Sequence, residues 1–109
     1  MGVKICKFGG TSMASGTTIM EVAKIVKADK TRRYVVVSAP GKRFSGDIKV
    51  TDLLYACSDA VDAGNVEEFN TIFDKICLRF LNIQTEIGKD LGLEESLAET
   101  KKEILAGAG

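Results

Sequence analysis

The chain has 109 residues, of which 45% are hydrophobic and 28% charged, as expected for one small globular domain. Lysine and arginine together number 15, as do aspartate and glutamate, which argues against a nucleic-acid-binding or membrane-surface protein because these carry a basic excess. The absence of histidine excludes Ser–His and Cys–His nucleophilic mechanisms.

The first third of the chain predicts a βαβ unit. Apolar residues over 3–8 indicate a strand that ends at a pair of glycines, and a small, polar loop follows. A helix is predicted over 17–28, with Thr17 and Thr18 as candidate N-caps. Four consecutive β-prone residues over 34–37 then predict a second strand, parallel to the first and buried on both faces. The crossover between the strands is expected to be right-handed.

The rest of the chain predicts helices. Residues 40–49 hold the single proline and mixed charges, which predict an exposed loop. Thr51 is the candidate N-cap of the next helix, and Asn65 that of a longer one with a sustained apolar stripe ending at Gly88. A last amphipathic helix is predicted over 93–105, with its glutamates on a solvated face.

Two strands are fewer than the four to six or so that a typical sheet contains. The buried character of the strand over 34–37 therefore leads us to expect further strands that lie beyond Gly109 in a longer protein. An open sheet edge and uncovered apolar helix faces predict self-association into a homo-oligomer.

The segment 7–12, with the sequence KFGGTS, suits phosphate binding. Glycines let a phosphate approach the backbone, and successive N–H groups in such a turn form an anion-binding concavity. The helix that follows is expected to point its positive end at the same place, and Lys7 to add a mobile positive charge. The segment is neither a Walker A loop nor a GxGxxG fingerprint. A tight turn beside a solvated lysine accounts for these residues equally well.

Two further segments are expected to lie near the turn that follows the first strand. Ser38 and Ala39 follow the second strand at the carboxyl edge of the sheet, where open α/β folds bind ligands. The hydroxyl of Thr51 either caps its helix or faces this cleft. For both segments, the purely structural role is the commoner one.

Cysteine usage and the N-terminal residues predict a cytoplasmic protein. Cys6, Cys57 and Cys77 are widely spaced in apolar segments, which predicts free, buried thiols rather than a disulfide framework or a zinc site. Lys4 and Lys7 interrupt any signal-peptide pattern, and no apolar run approaches membrane-spanning length. No metal-ligating residues are predicted.

Taken together, KFGGTS at 7–12, VVVSAPGK at 35–42 and KVTDLL at 49–54 resemble the opening of the aspartate kinases, in this order and at similar separations. These enzymes belong to the amino-acid kinase superfamily, and the resemblance extends over essentially the whole chain. It implies an α/β fold in which residues 1–109 form the N-terminal part of a carbamate kinase-like catalytic domain, a parallel βαβ unit followed by a helical region.

The resemblance implies ATP-dependent phosphorylation, with Mg²⁺, of the L-aspartate side-chain carboxylate to 4-phospho-L-aspartate, for lysine, threonine and methionine biosynthesis. A carboxylate nucleophile is ionised near pH 7, which agrees with the absence of histidine. The resemblance implies that Lys7 is the catalytic lysine. It also implies that the ATP phosphates are bound by Lys7, Gly9, Gly10, Thr11 and Ser12, and that aspartate is bound by Ser38, Ala39 and Thr51.

The family continues with a glutamate and an arginine for the substrate, a nucleotide-base subdomain and regulatory ACT domains. None of these falls within residues 1–109, so we expect an incomplete and inactive fragment. Two alternatives stay open: a non-catalytic fragment or degenerate copy that only folds and associates, and another amino-acid kinase acting on glutamate, acetylglutamate, carbamate or a nucleoside monophosphate.

Overall fold

A computed structural model describes residues 2–107 of the chain, which form two strands and four helices. The predicted α/β class, a βαβ unit followed by a helical region, is confirmed. No helix among these residues is long and apolar enough to cross a membrane. The elements in chain order are β1 Lys4–Phe8, α1 Gly16–Ala28, β2 Arg32–Val37, α2 Val50–Asp62, α3 Val66–Ile87 and α4 Leu93–Gly107.

The strands β1 and β2 pair in parallel, with Lys7 beside Val36 and Phe8 beside Val37. The carbonyl of Phe8 also accepts a hydrogen bond of 3.1 Å from the Ser38 N–H, just beyond the end of β2. The loops after the two strands therefore leave the sheet side by side, as expected from the parallel pairing.

Neither face of β2 is buried by the described chain, and the face with Ile5, Tyr34 and Val36 is the more open, so the predicted burial of residues 34–37 on both faces is wrong for the described residues. Ile5 is 75% exposed, Tyr34 63% and Val36 53%. The main neighbours of β2 among the described elements are β1 and α1, which leave these apolar side chains uncovered.

Helix α1 begins at Gly16, and its N-cap is Ser15 rather than Thr17 or Thr18 as predicted. Ser15 Oγ accepts from the Thr18 N–H at 3.3 Å, while Thr18 Oγ1 accepts from the Ser15 N–H at 3.2 Å, which forms a reciprocal capping box. Gly16 lets this turn pack directly on α3, because a Cβ there would lie 2.8 Å from the Ile83 carbonyl oxygen.

The core lies between α2 and α3. The predicted caps of α3 are confirmed: Asn65 Oδ1 accepts from the Glu68 N–H at 3.1 Å, and Gly88 ends the helix in the left-handed region with φ of 83°. The apolar stripe is also confirmed as core, since Phe69 is fully buried and stacks on Phe73 at 5.6 Å between ring centroids. The cluster consists of Val50, Leu53, Cys57 and Ala60 from α2 with Phe69, Phe73 and Ile76 from α3.

Candidate functional site

A cleft of about 260 Å³ opens where the loops after β1 and β2 meet the start of α2. It lies at the carboxyl edge of the parallel strands, the position at which open α/β folds bind ligands. Its lining combines backbone, hydroxyl groups and two lysines. The lining residues are Gly10, Thr11, Ser38, Ala39, Pro40, Gly41, Lys42, Lys49 and Thr51.

The floor of this cleft is a close contact between two glycines. The Gly41 N–H donates to the Gly10 carbonyl at 2.8 Å. A Cβ on Gly41 would lie 2.7 Å from the carbonyl carbon of Gly10, and one on Gly10 would lie 3.2 Å from the Gly41 Cα. A Cβ on Gly9 would meet no atom within 4 Å. Gly10 and Gly41 are thus required for the contact between the loops, whereas Gly9 borders open space.

Thr51 lies in the first turn of α2 and is not its N-cap, so the predicted capping role is wrong. The helix begins at Val50, and Lys49 occupies the N-cap position without a side-chain cap. The Val50 N–H donates instead to the Pro40 carbonyl at 3.0 Å, which fixes the start of α2 against the loop after β2. The Thr51 hydroxyl is therefore not needed as a cap, and the positive end of α2 opens onto the cleft.

The cleft brings together many of the residues predicted from the sequence, namely Gly10, Thr11, Ser38, Ala39 and Thr51. Lys7, Gly9 and Ser12 are not among its lining residues. Lys7 is exposed on β1, and its side chain makes no hydrogen bond or ion pair with residues 2–107. The Ser12 N–H donates to the Gly9 carbonyl at 3.2 Å and so closes the turn after β1.

The expected contribution of the α1 N-terminus to this site is wrong. Its first residue, Gly16, packs on Ile83 and Glu86 of α3, and no residue of α1 lines the cleft. The reason is that the loop continues for five residues beyond Gly10 before α1 begins at Gly16. The helix terminus at the cleft is that of α2.

Two lysines of the site were missed by sequence reasoning. Lys42 and Lys49 both line the cleft and are exposed, so they can move toward a ligand. A basic residue on each side of the loop over 40–49 was the available signal. With the hydroxyls of Thr11, Ser38 and Thr51, these ammonium groups suit a ligand with several anionic oxygens, such as a chain of phosphates.

A third missed residue, Arg79, lies buried beside the cleft. Its guanidinium donates to the carbonyls of Gly41 at 2.7 Å, Ala14 at 3.2 Å and Ile48 at 2.8 Å. The signal was an arginine within the apolar stripe of α3, between Ile76 and Ile83. Burial lowers the pKa of Arg79, but a guanidinium keeps its charge in proteins.

The loop over 40–49 is only partly exposed, so the predicted exposed loop is wrong for Pro40, Gly41 and Asp47. Asp47 accepts from Arg43 Nε at 2.6 Å and from Arg43 Nη2 at 3.0 Å, and lies 3.5 Å from Arg79 Nη1. The hydrogen bond from Arg43 holds the pKa of Asp47 well below its usual range, despite the opposing effect of burial. The carboxylate is therefore ionised and balances part of the arginine charge.

The described residues contain no group of three or more His, Cys, Asp or Glu side chains that could hold a metal ion. The cysteines Cys6, Cys57 and Cys77 are free as predicted, but the predicted burial is wrong for Cys6 and Cys77, which are only partly buried. Cys57 is a buried member of the core cluster, and this burial raises the pKa of its thiol, which disfavours the nucleophilic thiolate.

Comparison with known proteins points to one group of enzymes. The chain is 38% identical over 106 residues to "Aspartokinase 3" of Bacillus subtilis, covering 96% of this chain and 23% of that protein. It is 32% identical over 105 residues to "Aspartokinase" of Chlamydia muridarum, covering 96% of this chain and 21% of that protein. No protein-family model matches.

A solved structure agrees with these relatives. The fold matches the crystal structure of Clostridium acetobutylicum aspartate kinase with a TM-score of 0.90 and 36% sequence identity. The match covers 98% of this chain and 24% of that one. The chain thus spans about a quarter of the length of the proteins that it matches.

Proposed function

We propose that this chain, an aspartokinase-like segment by both sequence and fold, provides phosphate-binding and aspartate-binding loops of an aspartate kinase. It would form the N-terminal part of a catalytic domain that transfers the γ-phosphoryl group of ATP to the side-chain carboxylate of L-aspartate. The observation that carries the proposal is the single cleft shared by Gly10, Ser38 and Thr51, which come from three separate segments.

The ATP phosphates would lie over the turn after β1. Gly9 leaves the backbone open to a phosphate oxygen, because no atom lies within 4 Å of the position that a Cβ would take. Thr11 and Ser12 supply hydroxyls in the same turn, and Lys42 and Lys49 add positive charge at the cleft. Phosphoryl transfer depends on positioning and charge stabilisation rather than on a histidine base. A chain without histidine can therefore contribute to it.

Lys7 would stabilise the charge on the phosphoryl group as it is transferred. It lies at the end of β1, two residues before Gly9, and its exposed ammonium is not committed to a partner within residues 2–107. A flexible point charge of this kind can follow the phosphoryl oxygens during transfer. Donors aimed at developing charge are often the largest single contribution to catalysis.

Aspartate would bind on the opposite side of the cleft, near Ser38, Ala39 and Thr51. The hydroxyls of Ser38 and Thr51 can donate to a carboxylate, and the positive end of α2 favours an anion at the same place. The small Ala39 side chain leaves room between them. This arrangement would distinguish an amino-acid acceptor from a larger nucleotide acceptor.

Mg²⁺ would bind at this site together with ATP, through the ATP phosphates. Within residues 2–107 no cluster of carboxylates can enclose a metal ion, whereas Mg²⁺ commonly binds substrate phosphates and keeps several waters. The ion would neutralise phosphate charge when bound. The lysines and the Gly9–Gly10 backbone would bind the phosphate oxygens that do not contact the ion.

The activity can be tested by replacing the matching segment of Bacillus subtilis Aspartokinase 3 with this chain and measuring aspartate-dependent ADP release. We expect an active chimera. Lys7→Met should lower kcat by on the order of 100-fold, the effect of losing a donor at the developing charge. Lys30→Met, at an exposed lysine in the loop before β2, is the matched control and should leave kcat unchanged.

Aspartate recognition is tested in the same chimera. Thr51→Val should raise the KM for aspartate with a smaller effect on the KM for ATP, and Thr71→Val on α3 is the matched control. A chimera that stays active with Lys7→Met, or that prefers glutamate or carbamate as acceptor, would contradict the proposal. The second case would favour another amino-acid kinase.

The 109-residue chain by itself should give no aspartate-dependent ADP release, because it spans about a quarter of its relatives. Near full-length rates would overturn that expectation. We further propose a cytoplasmic location, a role in lysine and threonine biosynthesis, and self-association through the open face at Ile5, Tyr34 and Val36. Light scattering that gives a monomer at high concentration would contradict self-association.

A further inference from the structure

Arg79 is the buried charged side chain that stands out among the described residues, with 5% of its surface exposed. Burying a charge is costly unless it is paired and hydrogen-bonded. An arginine in the stripe of α3, one turn from Ile76 and Ile83, therefore needs a compensating set of acceptors. Those acceptors are backbone carbonyls of the loops around the cleft.

The acceptors belong to two loops. Ala14 lies in the loop between β1 and α1, whereas Gly41 and Ile48 lie toward the two ends of the loop between β2 and α2. Arg79 Nη2 donates to Ala14 and Gly41 at 3.2 and 2.7 Å, and Nη1 donates to Ile48 at 2.8 Å. The planar guanidinium fork can hold three acceptors in fixed directions, which the point charge of a lysine cannot.

The same loops carry the proposed ligand-binding atoms. The Gly41 carbonyl is held by Arg79, while the Gly41 N–H donates to the Gly10 carbonyl at 2.8 Å. Two residues beyond Ile48, the Val50 N–H donates to Pro40 at 3.0 Å, at the start of the helix that presents Thr51. A shift of Arg79 would therefore move the phosphate turn and the aspartate side of the cleft relative to each other.

We infer that Arg79 is a positioning residue that sets the separation of the phosphate-binding and aspartate-binding loops without touching either ligand. This inference rests on the proposed function for what the cleft binds. The relative placement of the loops is a property of the chain itself, so it can be measured without ligand.

The test compares Arg79→Met with Phe69→Leu, a substitution at a fully buried core residue of the same helix that removes none of these three hydrogen bonds. Native-state amide hydrogen exchange is measured at Gly41 and at the α3 core amides, together with tripolyphosphate affinity. Arg79→Met should lower protection at Gly41 about tenfold more than in α3 and weaken tripolyphosphate binding about tenfold, consistent with losing hydrogen bonds to a charged group. Phe69→Leu should lower protection by the same factor at Gly41 and at the α3 core amides, and it should leave tripolyphosphate binding unchanged.

If Arg79→Met lowers protection at Gly41 and in the α3 core by the same factor, the inference is overturned, because Arg79 would then have a purely structural role. If that variant does not fold, Arg79→Lys makes the same comparison, because it keeps the charge but not the fork. Recovery of full Gly41 protection with lysine would also overturn the inference. Failure of the unsubstituted chain to bind tripolyphosphate would instead count against the proposed function, and Gly41 protection would still decide the role of Arg79.

Discussion

Gly41→Ala should destabilise the chain through one identifiable contact. The new Cβ would lie 2.7 Å from the Gly10 carbonyl carbon and 2.9 Å from its oxygen. Carbon atoms pack best at about 3.5–4.0 Å, so the loops must separate by roughly 1 Å. Such overpacking costs about 1–3 kcal/mol, and weakening the bond from Gly41 to Gly10 adds about 1 kcal/mol. Lower entropy of the unfolded alanine chain offsets about 0.4–1 kcal/mol of this.

The net expectation is a loss of about 2 kcal/mol, which lowers Tm by roughly 8–16 °C in a domain of this size. Circular dichroism during thermal unfolding measures it. Gly9→Ala is the matched control, because its Cβ would meet no atom within 4 Å, and it should change stability by less than about 0.5 kcal/mol. Equal Tm values for the two alanine variants would refute the reasoning, since they would mean that the Gly10–Gly41 contact is absent in solution.

Gly16→Ala should lower the urea midpoint through overpacking, because its Cβ would overlap Glu86 and lie 2.8 Å from the Ile83 carbonyl oxygen; an unchanged midpoint would contradict the packing of α1 on α3. The pKa of Asp47 is lowered in the folded chain by Arg43, so its ionised form stabilises the fold above the unfolded pKa of about 3.9, and this stabilisation is lost as pH falls through the folded value. Asp47→Asn should therefore flatten the acid side of the stability profile below about pH 4, and an unchanged slope would contradict the ion pair. Cys57, which is 4% exposed, should react with a thiol reagent only at the rate of unfolding, whereas the partly exposed Cys6 reacts first; fast labelling of Cys57 in the folded chain would contradict its burial.

Elements with strong local signals were predictable from the sequence. The caps of α3 follow from Asn65 and Gly88, whose side-chain acceptor and conformational freedom act locally. The N-cap of α1 was not predictable in the same way, because Ser15, Thr17 and Thr18 all suit that position. Ser15 is the N-cap because Gly16 packs on α3, a helix that is remote in sequence.

Part of the candidate site could likewise be predicted from the sequence, and part could not. Glycines and hydroxyls at strand ends could be predicted because parallel strands bring their carboxyl ends to one edge. The contribution of Lys42, Lys49 and Arg79 could not, because it depends on how the loop over 40–49 folds back onto Gly10 and α3. The exposure of Tyr34 and Val36 was also missed, since a β-prone run predicts burial whether or not the described chain covers it.

The most direct measurement is a titration of the ¹⁵N-labelled chain with tripolyphosphate, followed by amide chemical shifts. We expect saturable shifts at Gly9, Gly10 and Thr11 and around Lys42, with Gly92 and the start of α4 unaffected. We also expect that Gly9→Ala, although folded, binds tripolyphosphate more weakly. Shifts spread over all exposed lysines without saturation, or no shifts at the turn after β1, would contradict the claim that this cleft binds phosphates.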